Sequence, residues 1–250
     1  MSNRLVLLGT GTCQLQRDRM ASAALVELDE LTVVYDFGRG VATRLVELGM
    51  RQNEIEHVIL SHFHPDHFSD LIPYLHGALY SQIDPRTTDL HVYGPKGLED
   101  LGEKLLDLAG FGELEEEMRP FAVHLHEIDD DKLTIDGRDF DYRDLPPAGN
   151  HGLRFDFEGG TYALTGDSHF HEQEIEFLRG VDLGVLDAGH LEKQEIFELA
   201  VASEAERLVC SHLYQELDEV ELNARAREAG FEGKLLVGYD FMTFRLGKEI

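Results

Sequence analysis

The stretch "LSHFHPDHFSD" at residues 60–70 places four groups that commonly bind metals within six positions: His62, His64, Asp66 and His67. It follows "HVIL", which has the composition of a short buried strand. Side chains alternate along an extended segment, so the first two histidines are expected to point to the same side. The proline after them forces a turn, which lets the second pair face a second ion. Imidazoles and carboxylates suit zinc, manganese or iron, so the stretch predicts a site for two adjacent metal ions.

The rest of the chain alternates between strand and helix patterns. Residues 4–9 form a buried-strand pattern, a hairpin is expected around Asp29 and Glu30, and residues 40–50 have helical spacing. Short strands dominate residues 121–165, and helices alternate with strands from residue 172 onward. Each half of the chain therefore combines a run of strands with flanking helices. This predicts an α/β fold with two mixed β-sheets packed face to face and helices outside, a four-layer αββα sandwich in a single domain over residues 1–250.

Composition restricts the classes of function. Lys and Arg number 22 against 49 Asp and Glu, which gives a formal net charge of −27. A chain this acidic repels polyanions at long range, and it lacks a basic cluster that would neutralise phosphates, so we expect no nucleic-acid partner. No apolar run reaches the ~18 residues of a membrane span. Two cysteines give no disulfide framework and the N-terminus lacks a signal-peptide pattern, so we expect a cytoplasmic protein.

The segment "SHFHPDH" at residues 61–67 resembles the His-x-His-x-Asp-His signature of the metallo-β-lactamase fold hydrolases. Other segments resemble the ribonuclease Z-like branch of that family. They are "LGTGTCQLQRDRMASAALVEL" at 8–28, "VVYDFGRG" at 33–40, "NHGLRFDF" at 150–157, "ALTGDS" at 163–168 and "LVCSHLY" at 208–214. The resemblance thus extends along most of the chain.

The resemblance implies a complete set of metal ligands. One divalent ion would take His62, His64 and His151, and the other would take Asp66, His67 and His212. Asp167 would bridge the two ions, and Asp36 would orient a ligand from outside the site. Zinc is the first expectation for both ions, with manganese or iron as alternatives.

A further segment, "GHLEKQEIFELA" at residues 189–200, resembles one that carries a histidine beside the metals in ribonuclease Z and related phosphodiesterases. It would place His190 near the ions. Phosphodiester cleavage expels an alkoxide, which benefits from a proton donor or a nearby cation. We therefore assign catalytic roles to Asp66 and His190, the latter as general acid or phosphate stabiliser. Asp187, three residues earlier, is expected to orient a ring.

The chain also departs from ribonuclease Z. In that family a long tRNA-binding arm separates the fifth ligand from the bridging aspartate, whereas His151 and Asp167 are 16 positions apart here. Residues 190–192 read His-Leu-Glu where the bacterial enzymes usually have His-Ser-Thr. These departures favour a short-form phosphodiesterase for a small or cyclic phosphodiester. An RNA endonuclease, a lactonase or thioesterase, and a non-hydrolytic metal-binding module stay open as alternatives, and so does a homodimer.

The remaining histidines are less informative. His124 and His126 alternate on a strand without a matching carboxylate, and His57 and His91 begin strands, where a structural role is expected. His169 and His171 follow the bridging motif and could line the pocket, but a surface loop is the first expectation for both.

Overall fold

The computed structural model describes residues 3–248, and its strands form two seven-stranded sheets. The strands are β1 (Arg4–Gly9), β2 (Ala23–Leu28), β3 (Leu31–Tyr35), β4 (His57–Ile59), β5 (Leu90–Gly94), β6 (Val123–Glu127), β7 (Lys132–Ile135), β8 (Arg138–Leu145), β9 (Asn150–Phe157), β10 (Gly160–Leu164), β11 (Leu183–Asp187), β12 (Arg207–Ser211), β13 (Lys234–Val237) and β14 (Thr243–Arg245). The α-helices of this part of the chain are α1 (Val41–Glu47), α2 (Pro65–Phe68), α3 (Leu71–Tyr80), α4 (Leu98–Ala109), α5 (Glu172–Phe177), α6 (Lys193–Ser203) and α7 (Glu219–Glu228).

Both sheets are mixed. The first has the order β14-β1-β2-β3-β4-β5-β6, with antiparallel pairs from β14 to β3 and parallel pairs from β3 to β6. The second has the order β13-β12-β11-β10-β9-β8-β7, with antiparallel pairs from β7 to β10 and parallel pairs from β10 to β13. The prediction of two mixed sheets is confirmed.

Three apolar layers hold the sandwich together. Ile59 lies between the two sheets, whereas its neighbour Val58 points to the opposite face, among side chains of α1, α3 and α4. This alternation follows from the period of two along a strand. A third layer, which includes Phe177 of α5 and Phe197 of α6, covers the outer face of the second sheet. Burying each such side chain contributes about 1.5–3 kcal/mol, and the layers confirm the predicted αββα order.

Some predicted bounds differ from the structure. The helix predicted over residues 40–50 ends at Glu47, and the predicted strand at residues 241–246 is reduced to Thr243–Arg245. Within residues 3–248, no helix combines the length and the apolar character that crossing a membrane requires. The single-domain prediction for residues 1–250 includes residues 1, 2, 249 and 250, which lie outside the described residues, and it stays a prediction.

The turn after β1 is hydrogen-bonded to the segments that follow β12 and β13. Thr10 donates its backbone N–H and its hydroxyl to Oδ1 of Asp240, at 3.0 and 2.9 Å. The Thr10 carbonyl accepts the backbone N–H of Leu213 at 2.9 Å. The buried Arg19 guanidinium donates to the Thr10 hydroxyl at 2.7 Å. These bonds fix the position of His212, one residue before Leu213, relative to the first sheet.

Candidate metal centre

The residues predicted as ligands come from the edge of the sandwich where parallel strands of both sheets end. His62 follows β4 in the first sheet, and His212 directly follows β12 in the second. Asp187 is the last residue of β11, and Asp167 comes three residues after β10 ends. The carboxyl ends of parallel strands lie at one edge of a sheet, which explains why residues so distant in sequence converge.

A change of backbone conformation at Pro65 separates the pair His62 and His64 from the pair Asp66 and His67. His64 is extended, with φ −72° and ψ 142°, and α2 begins at the proline. Proline suits the first helical position because its φ is already fixed and the missing N–H would have no helical partner. Nε2 of His62 lies 2.9 Å from Nδ1 of His64, while Oδ2 of Asp66 lies 3.9 Å from Nε2 of His67.

The carboxylate of Asp167 lies between the two pairs. Its Oδ1 is 3.0 Å from Nε2 of His67 and 3.4 Å from Nε2 of His212. Its Oδ2 faces the other way and is 3.6 Å from Nε2 of His62. Each oxygen therefore faces a different set of imidazoles, an arrangement in which the carboxylate can contact ions in both sets.

The atoms that converge here fit metal ions. Nε2 of His67, Oδ1 of Asp167 and Nε2 of His212 are buried and have no hydrogen-bond partner of suitable geometry. Buried polar atoms normally have a partner, so convergent ones without a partner indicate a missing ligand. Two groups of ligand atoms that lie within 4.8 Å of one another match the predicted sets: His62, His64 and Asp167, and Asp66, His67 and His212. A third group joins Asp167, Asp187, His190 and His212 within the same distance. Imidazole and carboxylate donors suit zinc, manganese or iron.

The neighbouring charges keep the carboxylate of Asp167 ionised. Burial by itself would raise the pKa of Asp167, but the imidazoles of His67, His212 and His62 outweigh burial and hold that pKa well below its ordinary value. Burial would lower the pKa of His67, but the carboxylates of Asp36 and Asp167 outweigh it and raise that pKa. The ring of His67 thus lies between two carboxylates, 2.8 Å from Asp36 and 3.0 Å from Asp167.

The outer imidazoles differ in their surroundings. Burial would lower the pKa of His212, but contacts with Asp187 and Asp66 outweigh it and raise that pKa to about 9. His62 has a pKa lowered to about 4, first through burial and then through the adjacent imidazole of His67. A neutral imidazole is the form that binds a metal ion.

Asp36 holds the ligand segment from behind. Its Oδ1 accepts the backbone N–H of Ser61 at 2.7 Å, and its Oδ2 accepts the Ser61 hydroxyl at 2.9 Å. The same Oδ2 lies 2.8 Å from Nδ1 of His67, so Nε2 of that ring faces Asp167. Asp36 itself has φ +63°, an uncommon conformation for a residue other than glycine. The contacts are those expected of a residue that orients a ligand.

Asp187 and His190 lie at the open side of the centre. Oδ2 of Asp187 is 2.6 Å from Nδ1 of His190, and this contact is the main cause that raises the pKa of His190. Oδ1 of Asp187 is 3.4 Å from Nδ1 of His212. The His190 ring stacks on that of His212, with centroids 5.1 Å apart, and 30% of its side chain is exposed. His190 is therefore beside the centre and reachable from solvent.

His151 lies close to the ligand segment but outside both groups. Its backbone N–H donates to the carbonyl of Ser61 at 2.9 Å, one residue before His62. Its ring stacks on Tyr142 at 4.7 Å, and its Nδ1 is buried without a hydrogen-bond partner. It belongs to none of the groups whose ligand atoms all lie within 4.8 Å of one another, and its role as a ligand stays a prediction.

Several residues at the centre lie in segments that resemble the family, but the sequence assigned them no role. Asn150 accepts the backbone N–H of Asp167 at 2.9 Å and donates to the carbonyl of Thr165 at 3.0 Å. Gly166 has φ +62°, and a Cβ there would collide with Oδ1 of Asn150. Tyr214 packs its ring edge-to-face against His212, with centroids 5.6 Å apart. Only its position two residues after His212 could have drawn attention to it.

His169 is exposed, as expected for a surface loop, and it also stacks on His190 with ring centroids 5.2 Å apart. Three imidazoles therefore follow one another from His212 through His190 to His169. This row leads from the metal centre to solvent.

Comparison with known families gives one match that covers most of the chain. The sequence model of the Metallo-beta-lactamase superfamily matches residues 17–212. A curated relative, "Ribonuclease Z" from Streptococcus pneumoniae (strain CGSP14), is 33% identical over 129 residues. That alignment covers 50% of this chain and 40% of the relative, so the match spans less than half the relative's length.

Solved structures resemble the chain over almost its whole length. The metallo-beta-lactamase fold protein YhfI from Bacillus subtilis has a TM-score of 0.78 and 20% identity, covering 97% of this chain and 99% of its own. The short form of human tRNase Z (ELAC1) has a TM-score of 0.71 and 20% identity, covering 98% and 100%. A diphosphatase from the PhnP family has a TM-score of 0.70 and 18% identity, covering 97% of both chains. At these identities the likeness concerns the fold.

Proposed function

The chain belongs to the metallo-beta-lactamase superfamily of metal-dependent hydrolases, and from this premise we propose that it is a dinuclear phosphodiesterase acting on a small or cyclic phosphodiester. The observation on which the proposal rests is the Asp187–His190 pair, which places a ring of raised pKa beside two groups of metal ligands.

The ligand residues divide the work between two ions. His62 and His64, with His151 completing the set, would hold one ion, while Asp66, His67 and His212 would hold the other. Asp167 would bridge them through its two oxygens. When bound, such ions lower the pKa of a water molecule and polarise the phosphoryl group. We propose zinc for both positions, because mixed imidazole and carboxylate donors suit it, with manganese or iron as alternatives.

His190 would act on the leaving group. Asp187 stabilises the protonated ring through Nδ1, which leaves Nε2 free to donate a proton or to bind a non-bridging oxygen. An alkoxide leaving group needs this proton, whereas the less basic thiolate that leaves a thioester needs it less. Asp66 would contribute to the reaction as a ligand beside His212, from which its Oδ2 is 3.6 Å away.

Two features favour a small substrate. Phe157 ends β9 and Gly160 begins β10, so a two-residue turn connects the strands between His151 and Asp167 and leaves no room there for an RNA-binding arm. The net charge of −27 also repels a polyanion at long range.

A ribonuclease is the second candidate. The curated relatives are named ribonuclease Z, and the fold is shared with the short form of human tRNase Z. These names weigh against our expectation that no nucleic acid binds. An RNA substrate would require a basic surface supplied by a partner. The homodimer and the cytoplasmic location stay predictions.

The first experiment measures hydrolysis of bis(p-nitrophenyl) phosphate and metal content on the same sample, with Asp167→Ala as the control. Turnover with about two metals per chain that is lost in the variant would support the proposal. Two metals without turnover of this probe or of cyclic and linear phosphodiesters would contradict it and favour acyl esters.

Two further measurements separate the candidates. His190→Ala should lower phosphodiester hydrolysis while an acyl ester, if it is a substrate, is still hydrolysed. Equal loss of both activities would contradict the role given to His190. A tRNA precursor should be cleaved only if the ribonuclease candidate is right.

A further inference from the structure

A second cluster of imidazoles lies outside the metal centre, on the first sheet. We call His57, His91, His124 and His126 the histidine ladder. His57 of β4 is paired in register with His91 of β5, which is paired with His124 of β6. His126 is paired with Tyr93 in the same way. Rings on neighbouring strands therefore stack, with the centroids of His91 and His124 4.7 Å apart and those of Tyr93 and His126 4.6 Å apart.

Two nitrogens of the ladder face each other. Nδ1 of His91 and Nε2 of His126 share a hydrogen bond of 3.0 Å, which a cation bound between the two nitrogens would replace, and both side chains are half-buried. At the metal centre, Nε2 of His62 and Nδ1 of His64 are 2.9 Å apart. The ladder thus repeats the spacing of the two imidazoles that begin the ligand signature.

A site with two protein ligands is expected to hold the cations that bind nitrogen most tightly. Two nitrogens bound at about 2.0 Å are about 2.8 Å apart when the angle at the metal is 90° and about 3.3 Å apart at a tetrahedral angle, so the observed 3.0 Å is compatible with either geometry. The affinity of nitrogen ligands for divalent metals rises from manganese through iron and cobalt to nickel and copper. We therefore expect nickel or copper to bind best where only two imidazoles are available.

We propose that His91 and His126 form a second, mononuclear site for a divalent cation of the nickel or copper type, completed by water. Among the described residues, groups of three His, Cys, Asp or Glu ligands within 4.8 Å occur only at the metal centre, so the ladder supplies two protein ligands. Two ligands and an accessible edge make a site that exchanges its ion with solvent.

The surroundings of the pair favour a cation. Burial, followed by the neighbouring imidazoles, lowers the pKa of both His91 and His126, so both rings are neutral and able to bind a metal at neutral pH. The other titratable groups near the pair are the rings of His57, Tyr93 and His124 and the carboxylates of Asp89, Asp136 and Glu56.

Two carboxylates lie at the outer rungs of the ladder. Oδ2 of Asp89 lies 2.9 Å from Nε2 of His124, and Oδ2 of Asp136 lies 3.5 Å from Nε2 of His57. The expectation that His124 has no matching carboxylate is therefore wrong. The two carboxylates and the acidic chain as a whole attract cations toward the ladder.

The test titrates Ni²⁺ into protein whose metal centre has first been filled with zinc, followed by calorimetry, with zinc and nickel counted by mass spectrometry after gel filtration. Wild type should bind one further equivalent of Ni²⁺ without losing zinc. His91→Phe and His126→Phe keep the ring stack but remove the nitrogens, so each should weaken this equivalent at least tenfold. Hydrolysis of bis(p-nitrophenyl) phosphate should not change, because neither residue contacts the metal centre.

His76→Phe is the matched control. His76 lies outside the ladder, where its Nδ1 bonds the carbonyl of Ala109 at 3.0 Å, so nickel binding should equal that of wild type. The proposal is overturned if wild type binds no further equivalent of Ni²⁺, or if both ladder variants bind Ni²⁺ as tightly as wild type does.

If a ladder variant fails to fold, the test is instead the broadening that Ni²⁺ causes in the NMR signals of the histidine rings in zinc-filled wild type. Selective broadening of His91 and His126 would support the site, and broadening confined to other histidines would overturn it. This site is independent of the proposed phosphodiesterase, so either can fail alone.

Discussion

The carboxylate of Asp187 binds His190 through one oxygen and the backbone through the other. Oδ2 lies 2.6 Å from Nδ1 of the ring, and Oδ1 accepts the backbone N–H groups of Gly189 and His190 at 2.7 and 3.2 Å. The side chain of Asp187 is fully buried, whereas the ring of His190 is exposed to solvent. A buried anion therefore orients an accessible imidazole and favours its protonated form.

Asp187→Asn should lower kcat by about 10- to 100-fold, because the amide still supports the loop but no longer stabilises a protonated ring. The pKa of His190 is raised in the wild type. If the protonated ring is the active form, activity falls as pH rises through that pKa, and the variant should lose activity at a lower pH than wild type. The measurement is the pH profile of kcat.

Asp187 also lies 3.4 Å from Nδ1 of His212, so metal content must be counted on the same samples. His190→Asn serves as the control. Because this variant lacks the ring, adding Asp187→Asn to it should cause no further shift of its pH profile. If Asp187→Asn keeps both metal ions and loses activity at the same alkaline pH as wild type, the role given to Asp187 is contradicted.

Asp36→Asn should weaken metal binding by about 10- to 100-fold, because residues that orient metal ligands typically contribute that much. The asparagine tolerates the positive φ of this position but cannot accept from Ser61 and His67 as a charged carboxylate does. The measurement is metal retention against a chelator of known affinity. Asp29→Asn is matched, because Asp29 also has a positive φ, of +55°, and lies in an exposed hairpin turn. Equal losses of metal retention in Asp36→Asn and Asp29→Asn would show that the loss comes from asparagine at a positive φ and not from the missing carboxylate of Asp36.

His151→Ala should reduce the metal content from about two ions per chain to about one if His151 is a ligand. The group that contains His62 and His64 has one carboxylate, Asp167, and lacks a third imidazole within 4.8 Å, so this position depends most on an additional ligand. Metal counting after dialysis is the measurement, with His76→Ala as the control. An unchanged count would show that His151 only packs on Tyr142.

The sequence predicted those parts of the site that local patterns determine. The cluster from His62 to His67 was visible because its spacing is unusual, whereas Asp167 and His212 were assigned because their segments resemble those of the family. The four-layer order of the fold was predictable for the same reason, since alternation and helical periodicity are properties of short windows.

Contacts set by distant pairing were not predictable. Ser61 reaches Asp36 across 25 positions, and Asn150 reaches Asp167 across 17. His124 meets Asp89 across 35 positions, and only the parallel register of β5 and β6 brings them together. A single sequence does not contain that register, because it depends on how the connecting helix and loops pack.

Glu174→Gln should change how the stability of the chain depends on pH. Glu174 is fully buried in α5, where Oε1 accepts a hydrogen bond from Ser168 and Oε2 has no partner. Burial raises its pKa from 4.5 to about 8, and the nearby carboxylates of Asp187 and Glu195 add to this, while Ser168 opposes it. The folded state therefore keeps the Glu174 proton over a pH range in which the unfolded state releases it.

The sign follows from proton linkage. Between pH 4.5 and about 8 the folded state binds one more proton at Glu174 than the unfolded state does, so the free energy of unfolding falls as pH rises through this range. Each pKa unit corresponds to about 1.4 kcal/mol, so the loss that Glu174 contributes between pH 5 and pH 9 is about 3 to 5 kcal/mol. Glu174→Gln keeps the shape of the protonated side chain but has no proton to lose, and its stability should fall less over the same range. Urea unfolding at pH 5 and pH 9 measures this, with the exposed Glu172→Gln as the control. Parallel pH dependence in wild type and Glu174→Gln would show that Glu174 is ionised in the folded protein and that another group causes the loss.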